Sequence, residues 1–109
     1  MNISLCIYTN CTFHNSSEIN LIKTSFNSFN KVFDINNFEE RIIFLDKNPN
    51  IKNYNLYYNL LKEFFSQYNF QIITTNCLAE GFLYSIKNLS SKFVFQMEHD
   101  WIFIEENIK

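Results

Sequence analysis

The 109-residue chain contains a single glycine, proline, alanine and arginine, and the shortages close several classes of function. A phosphate-cradling loop built on several glycines is impossible with Gly81 alone. Nine basic residues stand against eleven acidic ones with no basic cluster, so the electrostatic attraction on which non-specific nucleic-acid binding depends is missing. No run approaches the ~20 apolar residues of a membrane span, and no basic-then-apolar leader opens the chain; a cytoplasmic protein without a transmembrane segment is the expectation. Three cysteines, Cys6, Cys11 and Cys77, make an odd count that argues for reduced thiols, and no Cys/His group has zinc-finger spacing. What the chain does have is apolar bulk. Thirteen Phe and six Tyr, in a sequence 47% hydrophobic, provide one core at this length, and residues 1–109 read as one domain.

Apolar periodicity alternates between two kinds. Ile3 to Tyr8 is short and almost wholly apolar, as a strand buried on both faces is. Ser16 or Ser17 can then cap a helix whose Ile19, Ile22, Phe26 and Phe29 form one stripe. The pattern lapses around Asp34 to Glu40, and Arg41 to Asp46 gives a second strand ending on a carboxylate. Lys47-Asn48-Pro49-Asn50 reads as a turn. Leu56, Leu60, Leu61, Phe64, Phe65 and Tyr68 repeat with helical period to about Gln67. Phe70 to Thr74 is a third strand; Cys77 to Leu89 is a third helix with Leu78, Phe82, Ile86 and Leu89 on one stripe and Gly81 marking close packing. Lys92 to Met97 is a fourth strand. The order β-α-β-α-β-α-β predicts an α/β fold, a mostly parallel sheet between two helical layers (α/β/α).

In such sheets ligands bind outside the carboxyl ends of the strands. The polar residues there are Thr9 and Asn10, then Asp46, then Thr74 to Asn76, then Glu98, His99 and Asp100. Glu98 and Asp100 form a repelling pair of carboxylates far in sequence from the only arginine, and a divalent cation with hard-oxygen preference, Mg²⁺ or Mn²⁺, is their natural partner. The plainer alternatives are a helix cap or solvated loop for Glu98 and Asp100, an Asx turn at Asp46, and ordinary loop roles for Thr9 and Asn10. Cys11 and His14 read as packing or surface residues, and Trp101 as an amphipathic anchor beneath the site.

The three segments I-S-L-C-I-Y-T-N, R-I-I-F-L-D-K-N-P and F-V-F-Q-M-E-H-D-W together resemble the donor-binding half of GT-A-fold, Rossmann-like glycosyltransferases of the family-2 type. The resemblance implies a transferase fed by a nucleotide-diphosphate sugar, a UDP-sugar being favoured, with a glycan or lipid-linked acceptor. Tyr8, Thr9 and Asn10 would line the nucleoside pocket, Asp46 would contact the base, and Glu98-His99-Asp100 would stand as the acid-x-acid motif, Asp100 and Glu98 binding Mn²⁺ or Mg²⁺ and Glu98 also the sugar-diphosphate. Members of the family continue into an acceptor-binding half that carries the catalytic base. Nine residues follow Asp100 here, and Glu105 and Glu106 read as solvated surface, so the resemblance implies a truncated, donor-binding portion. It also implies further strands beside the fourth, whose edge would otherwise be open to homodimer formation. The competing reading is a stand-alone flavodoxin- or receiver-like module binding a phosphate ligand or a protein. Receiver domains place an acidic pair after the first strand, where this chain has Thr9-Asn10.

Overall fold

Residues 3–9 alternate two sets of side chains across a strand, and both sets are apolar, so the strand is stable only between two covering layers. In the computed structural model, which describes residues 2–11, 18–47 and 53–104, that is where it lies. The elements are β1 (Ile3–Thr9), α1 (Glu18–Val32), β2 (Arg41–Asp46), α2 (Tyr54–Ser66), β3 (Gln71–Thr75), α3 (Leu78–Asn88) and β4 (Phe93–Glu98). The four strands form one parallel sheet in the order β3-β2-β1-β4. The direction of travel across the sheet reverses after β3, because α3 must carry the chain back past β2 and β1. A right-handed return crossover therefore puts α3 on the face opposite α1 and α2, giving three layers.

The two faces differ in weight. On one, Leu5, Ile7, Ile43, Leu45 and Met97 meet Ile19, Ile22, Phe26 and Phe29 of α1 and Tyr57, Leu61 and Phe65 of α2, all buried. Phe26 is the hub, its ring 4.8–6.3 Å from those of Phe29, Phe64, Phe65, Tyr68 and Phe70. On the other face a smaller cluster of Cys6, Tyr8, Ile42 and Phe44 packs under Phe82, Tyr84 and Leu89. There the expected stripe of α3 is corrected: Leu78 and Ile86 are exposed, and the helix buries Gly81 and Ser85. Only small residues fit against β1, since a Cβ on Gly81 would lie 2.9 Å from Tyr8 Cε1.

Several boundaries shift by a residue for identifiable reasons. Thr9 stays in β1 because it pairs with Leu45. Asn69, at φ 60°, turns the chain out of α2, a conformation asparagine tolerates, so β3 begins at Gln71. Cys77 is extended and precedes α3 as its cap residue. Lys92 donates its N–H to Asn2 Oδ1 at 2.6 Å, and β4 starts one residue later. The lapse at 34–40 is a single 3-10 turn, Ile35–Asn37, capped by Asp34. The expected cap at Ser16 or Ser17, the turn at Asn48-Pro49-Asn50, His14, Glu105 and Glu106 lie outside the described residues.

Polar groups at the amino ends of the strands serve the fold. Arg41 donates to Phe38 O (3.0 Å) and Tyr68 O (2.7 Å), and Glu40 Oε1 accepts from the Ser90 N–H and hydroxyl. After β4 the chain passes back over α1, where Phe103 packs on Phe29, Phe33 and Phe95 and its N–H donates to Ser28 Oγ at 2.9 Å. Among the described residues no strand pairs with the outer side of β4. No helix among the described residues is long and apolar enough to cross a membrane.

Candidate functional site

Strand order reverses between β1 and β4, and at their carboxyl ends the loops part to leave a cleft. It has a volume of about 140 Å³ and is lined by Tyr8, Thr9, Asn10, Asp46, Leu78, Glu98, His99 and Asp100. All six residues expected from the sequence to bind nucleotide, sugar or metal thus meet at one place, contributed by three strands. Of the polar residues at the end of β3, Thr75 does not line the cleft but donates to its Asp46 Oδ1 at 3.5 Å, and Asn76 is engaged elsewhere, donating to Glu80 Oε2 at 3.1 Å.

The motif 98–100 is held in a tight turn. Glu98 pairs with Tyr8 as the last residue of β4, His99 N–H extends the ladder to Tyr8 O at 3.0 Å, and Trp101 N–H closes the turn on Glu98 O at 3.2 Å. Ser25, buried on α1, sits 3.5 Å from the same carbonyl. Glu98 and Asp100 are both exposed at the cleft rim.

Two lining residues are committed to the core as well as to the cleft. Tyr8 is 4% exposed, its ring stacked on Phe44 at 5.1 Å and tilted against Phe82 at 4.7 Å. Its hydroxyl is buried without a hydrogen bond of ordinary geometry. The Thr9 hydroxyl is shared between the Tyr57 hydroxyl and His99 Nδ1, the latter at 2.7 Å. Nothing in the apolar periodicity of α2 singles out Tyr57, which packs as a core residue with Leu61 and Phe65; only the spatial pairing of residues 48 positions apart makes its hydroxyl part of the site.

The cleft is electrostatically one-sided. Among the described residues its charged lining consists of Asp46, Glu98 and Asp100, with neither lysine nor arginine. Burial holds His99 below the ordinary histidine range, although Asp100, Glu98 and Asp46 each pull the other way. Burial raises Asp46, opposed by Thr75 and His99. Glu98 and Asp100 are hard oxygen donors of the kind Mg²⁺ and Mn²⁺ take one or two at a time with phosphate and water. Among the described residues no three His, Cys, Asp or Glu side chains are grouped to hold an ion by protein ligands alone.

Beside this cleft, and sharing Tyr8 and Glu98 with it, lies an apolar hollow of about 330 Å³ completed by Phe82, Gln96, Met97 and Trp101. Trp101 is 42% exposed there, so it forms a wall of the hollow and is not an anchor beneath the site.

No family model, curated protein or solved structure matches the chain.

Proposed function

We propose that the chain binds a nucleotide-diphosphate sugar together with Mn²⁺ or Mg²⁺, as the donor-binding portion of a GT-A-type glycosyltransferase. The observation that carries the reading is the cleft at the strand-order switch whose charged groups, among the described residues, are three carboxylates. A diphosphate is repelled by such a lining unless a cation intervenes, and a doubly wound sheet offers its ligand site at this point. Asp100 and Glu98 hold the ion, Glu98 also faces the sugar-diphosphate, and Asp46 and Asn10 bind the nucleoside over the floor made by Tyr8 and Thr9. The chemistry such an ion supplies when bound is neutralisation of the diphosphate and stabilisation of the leaving phosphate. The chain's own part is orientation: the turn at 98–101 fixes the two acids relative to β1.

Calorimetric titration of UDP, GDP and CDP, with and without Mn²⁺, tests this. Binding is expected only with the metal, strongest for UDP, and Asp100→Ala is expected to weaken it at least about tenfold, the loss of one charged ligand contact. If a folded sample binds none of the three at millimolar concentration, the reading fails and a module without nucleotide chemistry takes its place.

We also propose that two copies of the chain associate through the open edge of β4. Phe93 is 58% exposed there, and among the described residues no strand pairs with that edge, whose backbone groups are a template for a second strand.

A further inference from the structure

A line of three hydrogen-bonding side chains runs from the core to the cleft. Tyr57, fully buried on α2, meets the Thr9 hydroxyl on β1, and Thr9 Oγ1 meets His99 Nδ1 at 2.7 Å. His99 is further fixed by its backbone N–H, which donates to Tyr8 O. Its other ring nitrogen, Nε2, has no partner among the described residues and belongs to a side chain that lines the cleft.

The threonine hydroxyl has one proton and two acceptor lone pairs. Tyr57 donates to Thr9 and Thr9 to His99, or His99 donates to Thr9 and Thr9 to Tyr57, or both donate to Thr9, whose own proton then needs a third acceptor that no described residue supplies. A phenol is the more acidic hydroxyl, hence a better donor and a poorer acceptor than threonine, and a neutral imidazole nitrogen is a stronger acceptor than either oxygen. The first order joins the better donor to the better acceptor at both bonds, and hydrogen bonds in a chain reinforce one another when aligned. With Nδ1 accepting, the neutral ring carries its proton on Nε2. A protonated Nε2 cannot ligate a metal but can donate to an oxygen.

Such donors are few in the cleft. Among the described lining residues the charged groups all repel an anionic oxygen, the Thr9 hydroxyl is already shared and the Tyr8 hydroxyl is buried in the α3 face, which leaves the Asn10 amide, assigned above to the nucleoside, and His99. We propose that His99 is a hydrogen-bond donor to the ligand, its Nε2–H set by the Tyr57–Thr9 relay and directed at a phosphate oxygen, and that it is not a metal ligand. The contact to phosphate rests on the nucleotide-diphosphate reading above; the tautomer does not.

Long-range proton–nitrogen correlation spectra of ¹⁵N-labelled protein report the tautomer directly. His14→Gln leaves one imidazole in view, and a pH of about 8.5 keeps it neutral. The expected pattern is that of the Nε2–H tautomer, with mixed tautomers in Thr9→Val and retention in Thr9→Ser, which keeps the hydroxyl. An Nδ1–H pattern in the parent protein overturns the proposal. In a second arm, His99→Ala is expected to weaken UDP binding in the presence of Mn²⁺ by about tenfold, as removal of one hydrogen bond to a charged oxygen does, while Mn²⁺ affinity without nucleotide is unchanged. Unchanged UDP affinity overturns the donor role. A comparable fall in affinity for Mn²⁺ alone makes His99 a metal ligand and overturns it equally. An Nε2–H tautomer in a protein that binds no UDP overturns the nucleotide reading and the phosphate contact with it, and leaves the relay standing.

Discussion

Cys6 and Tyr8 stand two apart on β1 and share the face under α3, Cys6 fully buried and Tyr8 4% exposed. Burial, with a smaller contribution from Glu40, pushes the Cys6 thiol from 9.0 up to about 12. Burial likewise takes the Tyr8 phenol from 10.0 up to about 12, only partly opposed by Ser85 and reinforced by Cys6. Between the unfolded and folded values the native state holds protons that the unfolded chain has released, so stability falls as pH rises. The contribution is complete below pH 9.0 and is lost on approach to about 12. Urea denaturation from pH 8 upward is expected to show a falling midpoint beyond pH 9.0, less steep in Cys6→Ala; a flat profile to pH 11 would refute it. At this scale the sequence was informative for one reason: Thr9, Asn10, Asp46, Glu98 and Asp100 all follow from where polar residues succeed apolar strands, and the cleft gathers them, whereas Tyr8, inside the apolar run, is named only by the family resemblance. The Thr9–His99 bond joins residues 90 positions apart, and no local pattern encodes such a pairing.

Among the elements, α3 departs furthest from its periodicity. The stripe Leu78, Phe82, Ile86, Leu89 has the right spacing for a buried face, yet close approach to β1 favours Gly81 and Ser85, and Ile86 is left 75% exposed. Packing distance outweighed hydrophobicity. In an exposed helix Gly→Ala stabilises by about 1 kcal/mol through propensity. At Gly81 the added methyl would meet Tyr8 Cε1 at 2.9 Å and Phe44 Cγ at 3.3 Å, atoms of rings already packed on each other, and overpacking of this kind costs about 1–3 kcal/mol. Gly81→Ala is therefore expected to lower the melting temperature, as calorimetry would show; a rise would mean that the Tyr8 ring yields. Helix α1 was readable because its burial does follow spacing, Ile19, Ile22, Phe26 and Phe29 all being buried; in α2 Leu61 and Phe65 are buried as expected, but Leu56 is 47% exposed and Tyr57 takes the buried position.

For the whole molecule, the parity of β4 defines how two copies would meet. Phe93 and His99 direct their N–H groups to β1, so Val94 and Gln96 turn theirs outward. An antiparallel two-fold pairing that uses those groups and centres on Phe95 sets Val94 of one copy opposite Gln96 of the other, and Lys92 opposite Glu98 at both ends. Sedimentation velocity is expected to show concentration-dependent dimers that Lys92→Glu disperses by placing like charges opposite one another; a monomer at every concentration, or dimers indifferent to the substitution, would count against the pairing. The sheet's order has another consequence, in time. β1 is made first but receives β2 from residues 41–46 and its other neighbour, β4, only from residues 93–98. On a ribosome the three-stranded β3-β2-β1 unit can assemble as soon as β3 has emerged, while the other flank of β1 waits until α3 and β4 have followed. The cleft, which lies on that flank, is therefore completed only after the rest of this sheet, a delay set by the long sequence separation of β1 and β4.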